Sequence, residues 1–409
     1  MKMLHAIDGM DPELGGVCQA VRLMIPSLFK QGVHNEVVSM DNPTAPFLAV
    51  ESFVIHALGP GYGPWNYTSS LVPWLVENLP RFDAVIIHGL WQYHSYAVRT
   101  AMRQLKKALP TLSKLPKVFV FPQGMLDPYF QRAPERKLKA VRNWAFWKMV
   151  EGRVINDADG VLFTCETERQ LARQPFRPYR PQREVVIGMG VGELAPYTPA
   201  MCQAFANACP TLGSNPYILF LSRIHEKKGV DLLIKAYANL LTANKEWAAE
   251  PSDGAVSPPL PKLVIVGPGL ETSYGQKMQQ LASETLELRE AILFPGMLEG
   301  DAKWGAFYGC EAFILPSHQE NFGIAVVEAF VCSKPVLISD QINIWREIDG
   351  TGGCIVNKDT ESGTLDSLIR WQALSADAKK ATAKKARECY EEHFAIAPVT
   401  QRIISAVQA

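Results

Sequence analysis

Short apolar runs alternate along the whole chain with longer stretches of helical periodicity. Runs at residues 3–8, 35–40, 52–58, 83–88, 117–121, 160–164 and 184–188 read as strands, with helical patterns such as 16–29 and 69–78 between them. The alternation restarts at 217–221 and continues through 262–267, 291–296, 312–317, 334–339 and 353–356. Six or seven βα units, a break and a second βα set predict an α/β chain of two doubly wound Rossmann-like domains facing a cleft. The predicted domains are 1–190 and 215–394, followed by a final helix at 395–409. Residues 190–216, rich in Pro, Ala and Asn, read as the linker, and 247–261, rich in Pro, Ala and Ser, as a surface loop.

Length supports the division, because 409 residues exceed what one ordinary core holds. Hydrophobic residues make up 47% and charged residues 20%, which excludes a disordered chain. Forty-one basic residues balance 41 acidic ones, which argues against a dedicated nucleic-acid binder. The balance is uneven, however: residues 101–150 hold 11 Lys/Arg against 2 Asp/Glu. Within 132–153, Arg132, Arg136, Lys137, Lys139, Arg142 and Lys148 interleave with Trp144, Phe146 and Trp147. Such a helix either meets an anionic membrane surface or phosphorylated acceptor, or packs its aromatics on the sheet and leaves its charges solvated. The eight cysteines form no C-x-x-C pair and read as small core residues in a reducing compartment. The first residues lack the form of a signal peptide, and no apolar run reaches membrane-spanning length. The expected location is cytoplasmic, with peripheral contact to the inner membrane face through 132–153.

Candidate chemistry centres on residues 312–331. An apolar run ending Pro316-Ser317 leads to Glu320-Asn321-Phe322-Gly323 and then a helix that is apolar almost all round, except at Glu328. A carboxylate there costs several kcal/mol, to order of magnitude, unless paired. Free N–H groups near Gly323 and Ile324 form an anion site at the helix start. A diphosphate on those amides puts an attached ribose within reach of Glu328, with Glu320 toward the other end of the ligand. The plainer alternative is that Glu328 meets a core Arg or Lys and Glu320 is a solvated loop acid.

A second signal is Arg223-Ile224-His225-Glu226-Lys227-Lys228-Gly229 at the end of the strand at 217–221. Cations flanking a loop there suit a diphosphate, each charge-assisted contact contributing about 1.5–3 kcal/mol. Otherwise it is a charged surface turn. Gly15-Gly16 after the first strand lets a ligand approach the backbone, or forms an ordinary tight turn. His88, at a strand's C-terminal end, faces the crevice where open α/β sheets bind ligands, or is structural. Asp157-Ala158-Asp159 has the D-x-D spacing of metal-dependent transferases but reads as a turn. Gly59-Pro60-Gly61 and Gly267-Pro268-Gly269 miss the dinucleotide fingerprint.

Two glutamates seven residues apart, with Asn-Phe-Gly between them after a Pro-Ser strand end, resemble the signature of the group 1 retaining glycosyltransferases, which have the GT-B fold. The resemblance extends over nearly the whole chain and implies that the final helix, 395–409, packs back on the first domain. It implies transfer of a sugar from a nucleoside-diphosphate sugar to a glycan or lipid-linked hydroxyl acceptor with retention, in polysaccharide or glycolipid synthesis. No cofactor or metal is implied. Glu320, Arg223 and Lys228 take the catalytic positions, with Arg223 and Lys228 as the phosphate pair. Glu328, Asn321, Phe322, Gly323 and Ile324 bind the donor. Gly15 and Gly16 match the family's glycine-rich loop, and Gly296 and Met297 lie where members place the nucleotide base. Pro122-Gln123-Gly124-Met125-Leu126-Asp127-Pro128 resembles a family segment with His in place of Gln123, beside the donor sugar. Glutamine keeps hydrogen bonding there but shuttles no proton. A sugar-nucleotide epimerase or phosphorylase on the same fold, and a non-catalytic nucleotide-sugar or glycan binder, are the alternatives.

Overall fold

Thirteen of the apolar runs form strands, and all of them pair in parallel. In the computed structural model, which describes residues 1–12, 15–108, 115–133, 136–194, 196–249 and 260–409, seven strands build a first sheet. They are β1 (Lys2–Ile7), β2 (His34–Ser39), β3 (Val54–Ala57), β4 (Ala84–His88), β5 (Lys117–Phe121), β6 (Gly160–Phe163) and β7 (Glu184–Val186). Their order is β3-β2-β1-β4-β5-β6-β7. Six more build a second sheet: β8 (Tyr217–Leu221), β9 (Lys262–Val266), β10 (Ile292–Gly296), β11 (Ala312–Leu315), β12 (Val336–Ser339) and β13 (Cys354–Asn357), in the order β10-β9-β8-β11-β12-β13. The chain is an α/β protein of two doubly wound, Rossmann-like domains.

Central strands such as β4 (AVIIH) and β11 (AFIL) are buried throughout. Helices cover both faces of a parallel sheet, so such strands lack the polar alternation of a half-exposed strand. Each sheet has one point where strand order reverses, between β1 and β4 in the first and between β8 and β11 in the second. Crossovers leave these strands in opposite directions, which opens a crevice beyond their carboxyl ends.

The first compact unit comprises Met1–Gly192 and Ala395–Ala409 and the second Glu193–Phe394. The last helix, Ile396–Gln408, lays Ile403, Ile404, Ala406 and Val407 against Met3, Ile86 and Phe119 of the first unit. The Thr400 and Ser27 hydroxyls hydrogen-bond at 2.8 Å below it.

The linker expectation for 190–216 is corrected here. Thr198 caps a helix, Pro199–Ala208, whose Met201 and Phe205 are buried. It packs so closely on the helix Gly300–Gly309 that a Cβ at Gly305 would lie 2.0 Å from the Met201 carbonyl oxygen. The signal was present as Thr-Pro, a capping residue followed by proline at the first helical position. The loop expected from 247 begins later, since the helix Val230–Ala249 runs through that point; its residues 250–259 lie outside those described. The basic stretch is not one helix but Tyr129–Arg132, Lys137–Phe146, a wider turn Trp147–Glu151, and Gly152–Asp157. Its aromatics divide: Trp147 is buried, stacked 4.7 Å from Phe176, whereas Trp144 is exposed.

Candidate active site

In the second unit the residues singled out from the sequence gather at the carboxyl edge of the sheet, over the β8/β11 reversal. The loop after β8 is short because Gly229 closes it. At φ +66°, with the Pro316 carbonyl oxygen 2.2 Å from where a Cβ would sit, only glycine fits. The loop after β11 is tied to it, since His318 N–H donates to the Lys227 carbonyl at 2.8 Å and Ser317 Oγ to the same oxygen at 2.8 Å. Lys228 Nζ is thereby brought onto Glu320 Oε2 in direct contact. The lysine is buried and the glutamate partly open. Glu320 is held in turn by its own backbone: its N–H donates to Gln341 O at 3.1 Å and its carbonyl accepts from Asn343 N–H at 3.0 Å.

Gly323 follows as the cap of the helix Ile324–Val331, in left-handed conformation (φ 76°, ψ 62°) and without a capping side chain. First-turn N–H groups there have no side-chain acceptor, which is the condition for an anion site. Ile324 is exposed at this mouth, and Phe322 is buried under it against Phe394. Asn321 Oδ1 lies 3.5 Å from Asn343 Nδ2.

Glu328 does find a partner in the core. Lys303 Nζ, from the helix Gly300–Gly309, lies 2.6 Å from Glu328 Oε1. Burial pushes the Glu328 carboxyl above its ordinary range, and the Lys303 ammonium opposes that push. Lys303 was missed because a buried acid announces the need for a cation without saying which lysine comes to it. Arg223 is exposed at the end of β8. Its neighbour Ile224 is pinned to the loop after β9 by a 2.8 Å bond to the Pro268 carbonyl. Gly267 N–H donates to the Gly296 carbonyl at 2.9 Å, so the ends of β8, β9 and β10 lie side by side, with Met297 exposed next to them.

Four of the singled-out residues belong to the first unit. Gly15 and Gly16 open the helix Gly16–Lys30, again with no capping side chain, and a Cβ at either would meet nothing. His88 and Gln123 adjoin at the ends of β4 and β5, with Gln123 Nε2 3.3 Å from His88 Nδ1. Both His88 nitrogens are occupied, because Nε2 lies 2.9 Å from His5 Nδ1. His88 therefore holds Gln123, and the expectation that it orients a ligand itself is corrected to that indirect role.

Proton positions along this chain follow from its far end. Asn35 Nδ2 donates to the Val33 carbonyl at 2.9 Å, so its Oδ1 accepts from His5 Nε2–H at 3.0 Å. A neutral His5 then accepts at Nδ1 from His88 Nε2–H, and His88 accepts at Nδ1 from the Gln123 amide. Burial lowers the His5 pKa to about 4 and that of His88 well below the ordinary value, so both rings are neutral. Gln123 thus spends one of its two N–H donors inward. The turn that carries it has φ +50° at Gln123 and is clamped by Glu168, which accepts from Gly124 N–H. Asp157 pairs with Arg99 at 2.7 Å and Asp159 accepts from Val118 N–H at 2.7 Å, so the D-x-D acids are tied to the frame.

Known proteins resemble this chain in sequence and in fold. Residues 209–388 match the family model of glycosyl transferases group 1, and residues 15–190 match the glycosyl transferase 4-like domain. A D-inositol 3-phosphate glycosyltransferase of Geodermatophilus obscurus is 27% identical over 56% of this chain and 50% of its own length. A GDP-mannose-dependent alpha-(1-6)-phosphatidylinositol monomannoside mannosyltransferase of Mycolicibacterium smegmatis is 25% identical over 64% of this chain and 67% of its own. The chain therefore spans about half the length of the first of these curated relatives and two thirds of the second. Among solved structures, Anabaena HepE in complex with UDP superposes with a TM-score of 0.71 at 16% identity, covering all of both chains. A glycosyltransferase of Rickettsia africae gives 0.69 at 14% identity over all of this chain and 97% of that one. The fold is theirs, and by its two matched halves the chain belongs to the group 1 glycosyltransferase family.

Proposed function

We propose that the protein transfers a glycosyl group from a nucleoside-diphosphate sugar to a hydroxyl acceptor, with retention at the anomeric carbon and without a metal. The observation that carries this reading is the meeting of Lys228, Glu320 and the uncapped helix start at Gly323 over the β8/β11 reversal. A diphosphate seated on the Gly323–Ile324 amides takes Lys228 over from Glu320. Arg223 lies on the same edge as a second cation. Both stabilise the diphosphate as the sugar bond breaks, the work a divalent cation does elsewhere. Freed of Lys228, the Glu320 carboxylate is an acceptor for sugar hydroxyls, and Glu328, held by Lys303, is one for the ribose. Gly296 and Met297 border the base.

The acceptor side belongs to polysaccharide or glycolipid assembly. The mannosyltransferase relative is named for phosphatidylinositol monomannoside, and the basic segment has the composition of a membrane-surface element. Leu138, Val141, Trp144 and Met149 are 88%, 66%, 56% and 62% exposed among Lys137, Lys139, Arg142 and Lys148. Apolar side chains left in water within a basic field fit an anionic bilayer. Among the described residues no helix is long and apolar enough to cross a membrane.

The deciding experiment is a thermal-shift screen against nucleoside diphosphates and their sugars, followed by turnover of the Arg223→Ala and Glu328→Ala variants. A ligand that binds only the native state raises the midpoint. The reading expects a shift with one diphosphate and at least a tenfold loss of turnover in each folded variant, of the order of one lost charge-assisted contact. Near-normal rates in both would reject it.

A further inference from the structure

The acids of the Asp157-Ala158-Asp159 turn, which the functional reading above leaves unused, line a cavity of about 450 Å³ in the first unit. It lies between the helices Tyr93–Ala108 and Gly152–Asp157, at the amino ends of β5 and β6. His88 and Gln123 stand at the other edge of the same sheet, at strand carboxyl ends. The volume is that of a small-molecule site.

Its floor is apolar. Met102 and Val154 are buried in the walls, whereas Leu115 and Val118 stay partly exposed. Val118 is on β5, which pairs with β4 on one side and β6 on the other. A parallel sheet is ordinarily covered on both faces, so the exposure of Val118 marks a gap in the helix layer.

The rim is cationic. Arg99, Arg103 and Lys106 recur at spacings of four and three, which puts them on one side of their helix. Arg99 is satisfied by Asp157 at 2.7 Å, and Lys117 donates to the Val407 carbonyl at 3.0 Å. Asp159 accepts from Val118 N–H at 2.7 Å. Arg103 and Lys106 are exposed and have no hydrogen-bond or ion-pair partner among the described residues. Two neighbouring cations thus stand uncompensated beside an apolar floor. The helix dipole accounts for a cation in the last turn, as at Lys106, but not for Arg103 or for the gap beside it.

We propose that this cavity binds an organic phosphomonoester whose apolar body lies on Met102, Leu115 and Val118 while its phosphate bridges Arg103 and Lys106. Charge sets the head group. A phosphomonoester carries about −1.5 to −2 at pH 7 and so matches two cations, whereas a carboxylate leaves one of them unmatched. The planar guanidinium takes two phosphate oxygens and the ammonium a third. The floor sets the body, since inorganic phosphate alone leaves that apolar surface in water. The proposed donor edge belongs to the second unit, so a phosphate held here is not the leaving group of the transfer.

The test titrates the full-length protein by calorimetry with α-naphthyl phosphate, α-naphthol and inorganic phosphate, with and without excess UDP or GDP. α-Naphthyl phosphate is expected to bind one site, at least tenfold more tightly than either fragment, and to bind it equally with the nucleoside diphosphate present. Arg103→Gln with Lys106→Gln changes two exposed side chains and is expected to weaken α-naphthyl phosphate about tenfold. Val118→Phe, which fills the floor, is expected to weaken α-naphthyl phosphate but not inorganic phosphate; if it fails to fold, the surface pair alone decides. The proposal is overturned if α-naphthyl phosphate does not bind, or binds the double variant as it binds the wild type. It is overturned equally if inorganic phosphate binds as tightly, or if a nucleoside diphosphate displaces the ligand.

Discussion

Glu151 offers a quantitative check on the frame of the first unit. It is fully buried on the turn Trp147–Glu151, where Oε1 accepts from Trp91 N–H at 2.8 Å and Ser95 Oγ–H at 2.6 Å, and Oε2 has no partner among the described residues. Burial drives its pKa up from 4.5 to about 7, and the two hydrogen bonds only partly offset that rise. Between those values the native state holds more protons than the unfolded chain. Stability is therefore fully present below the unfolded pKa and is lost as pH rises through the folded one. With these two pKa values the penalty is about 1.4 kcal/mol near pH 5.5 and about 3.4 kcal/mol near pH 8.5, a difference of about 2 kcal/mol. Glu151→Gln keeps the accepting oxygen and cannot ionise, so its stability should lack this component of the pH slope. Urea unfolding of both proteins at the two pH values, followed by tryptophan fluorescence, measures the difference of differences, in which all other titrating groups cancel. The variant should gain about 2 kcal/mol on the wild type between the lower and the higher pH. Parallel pH profiles would refute the view that this carboxyl is buried without compensation.

Further outcomes follow from the second unit and the basic segment. Gly229→Ala forces a Cβ toward the Pro316 carbonyl and should displace Lys228, weakening nucleoside-diphosphate binding about tenfold by titration calorimetry with the fold intact. Lys303→Met leaves Glu328 without its cation. The carboxyl pKa, already raised by burial, should rise further, so the variant's stability deficit grows with increasing pH to roughly 1–3 kcal/mol, less than for a fully buried pair. Trp144→Ser with Leu138→Ser should reduce sedimentation with vesicles containing anionic phosphatidylglycerol but leave binding of nucleoside diphosphates unchanged; equal sedimentation would discard the membrane-facing role. Turnover should persist in EDTA, and a strict magnesium or manganese requirement would contradict a diphosphate held by Arg223, Lys228 and amides alone.

Most of this architecture was legible in one dimension. Strands buried on both faces write themselves as apolar runs, and all thirteen runs end within two residues of their structural ends because glycine, proline or a charge stops most of them. The Glu320–Glu328 spacing and the Lys228-Gly229 step were equally readable, since local backbone geometry demands them. The helix Pro199–Ala208 was not read, because its composition resembles a linker and only burial of Met201 and Phe205 makes it a packed element. Pairings decided across the fold were also hidden. Lys303 reaches Glu328 from 25 residues away in sequence and His5 reaches His88 from 83, distances at which no periodicity carries information. Sequence by itself determined the elements and the family, and it marked the edge proposed to hold the diphosphate. Tertiary structure decided which charges are compensated and which ring nitrogens bear protons. Those properties depend on burial and on angstrom-scale contact, and neither exists until the chain has folded.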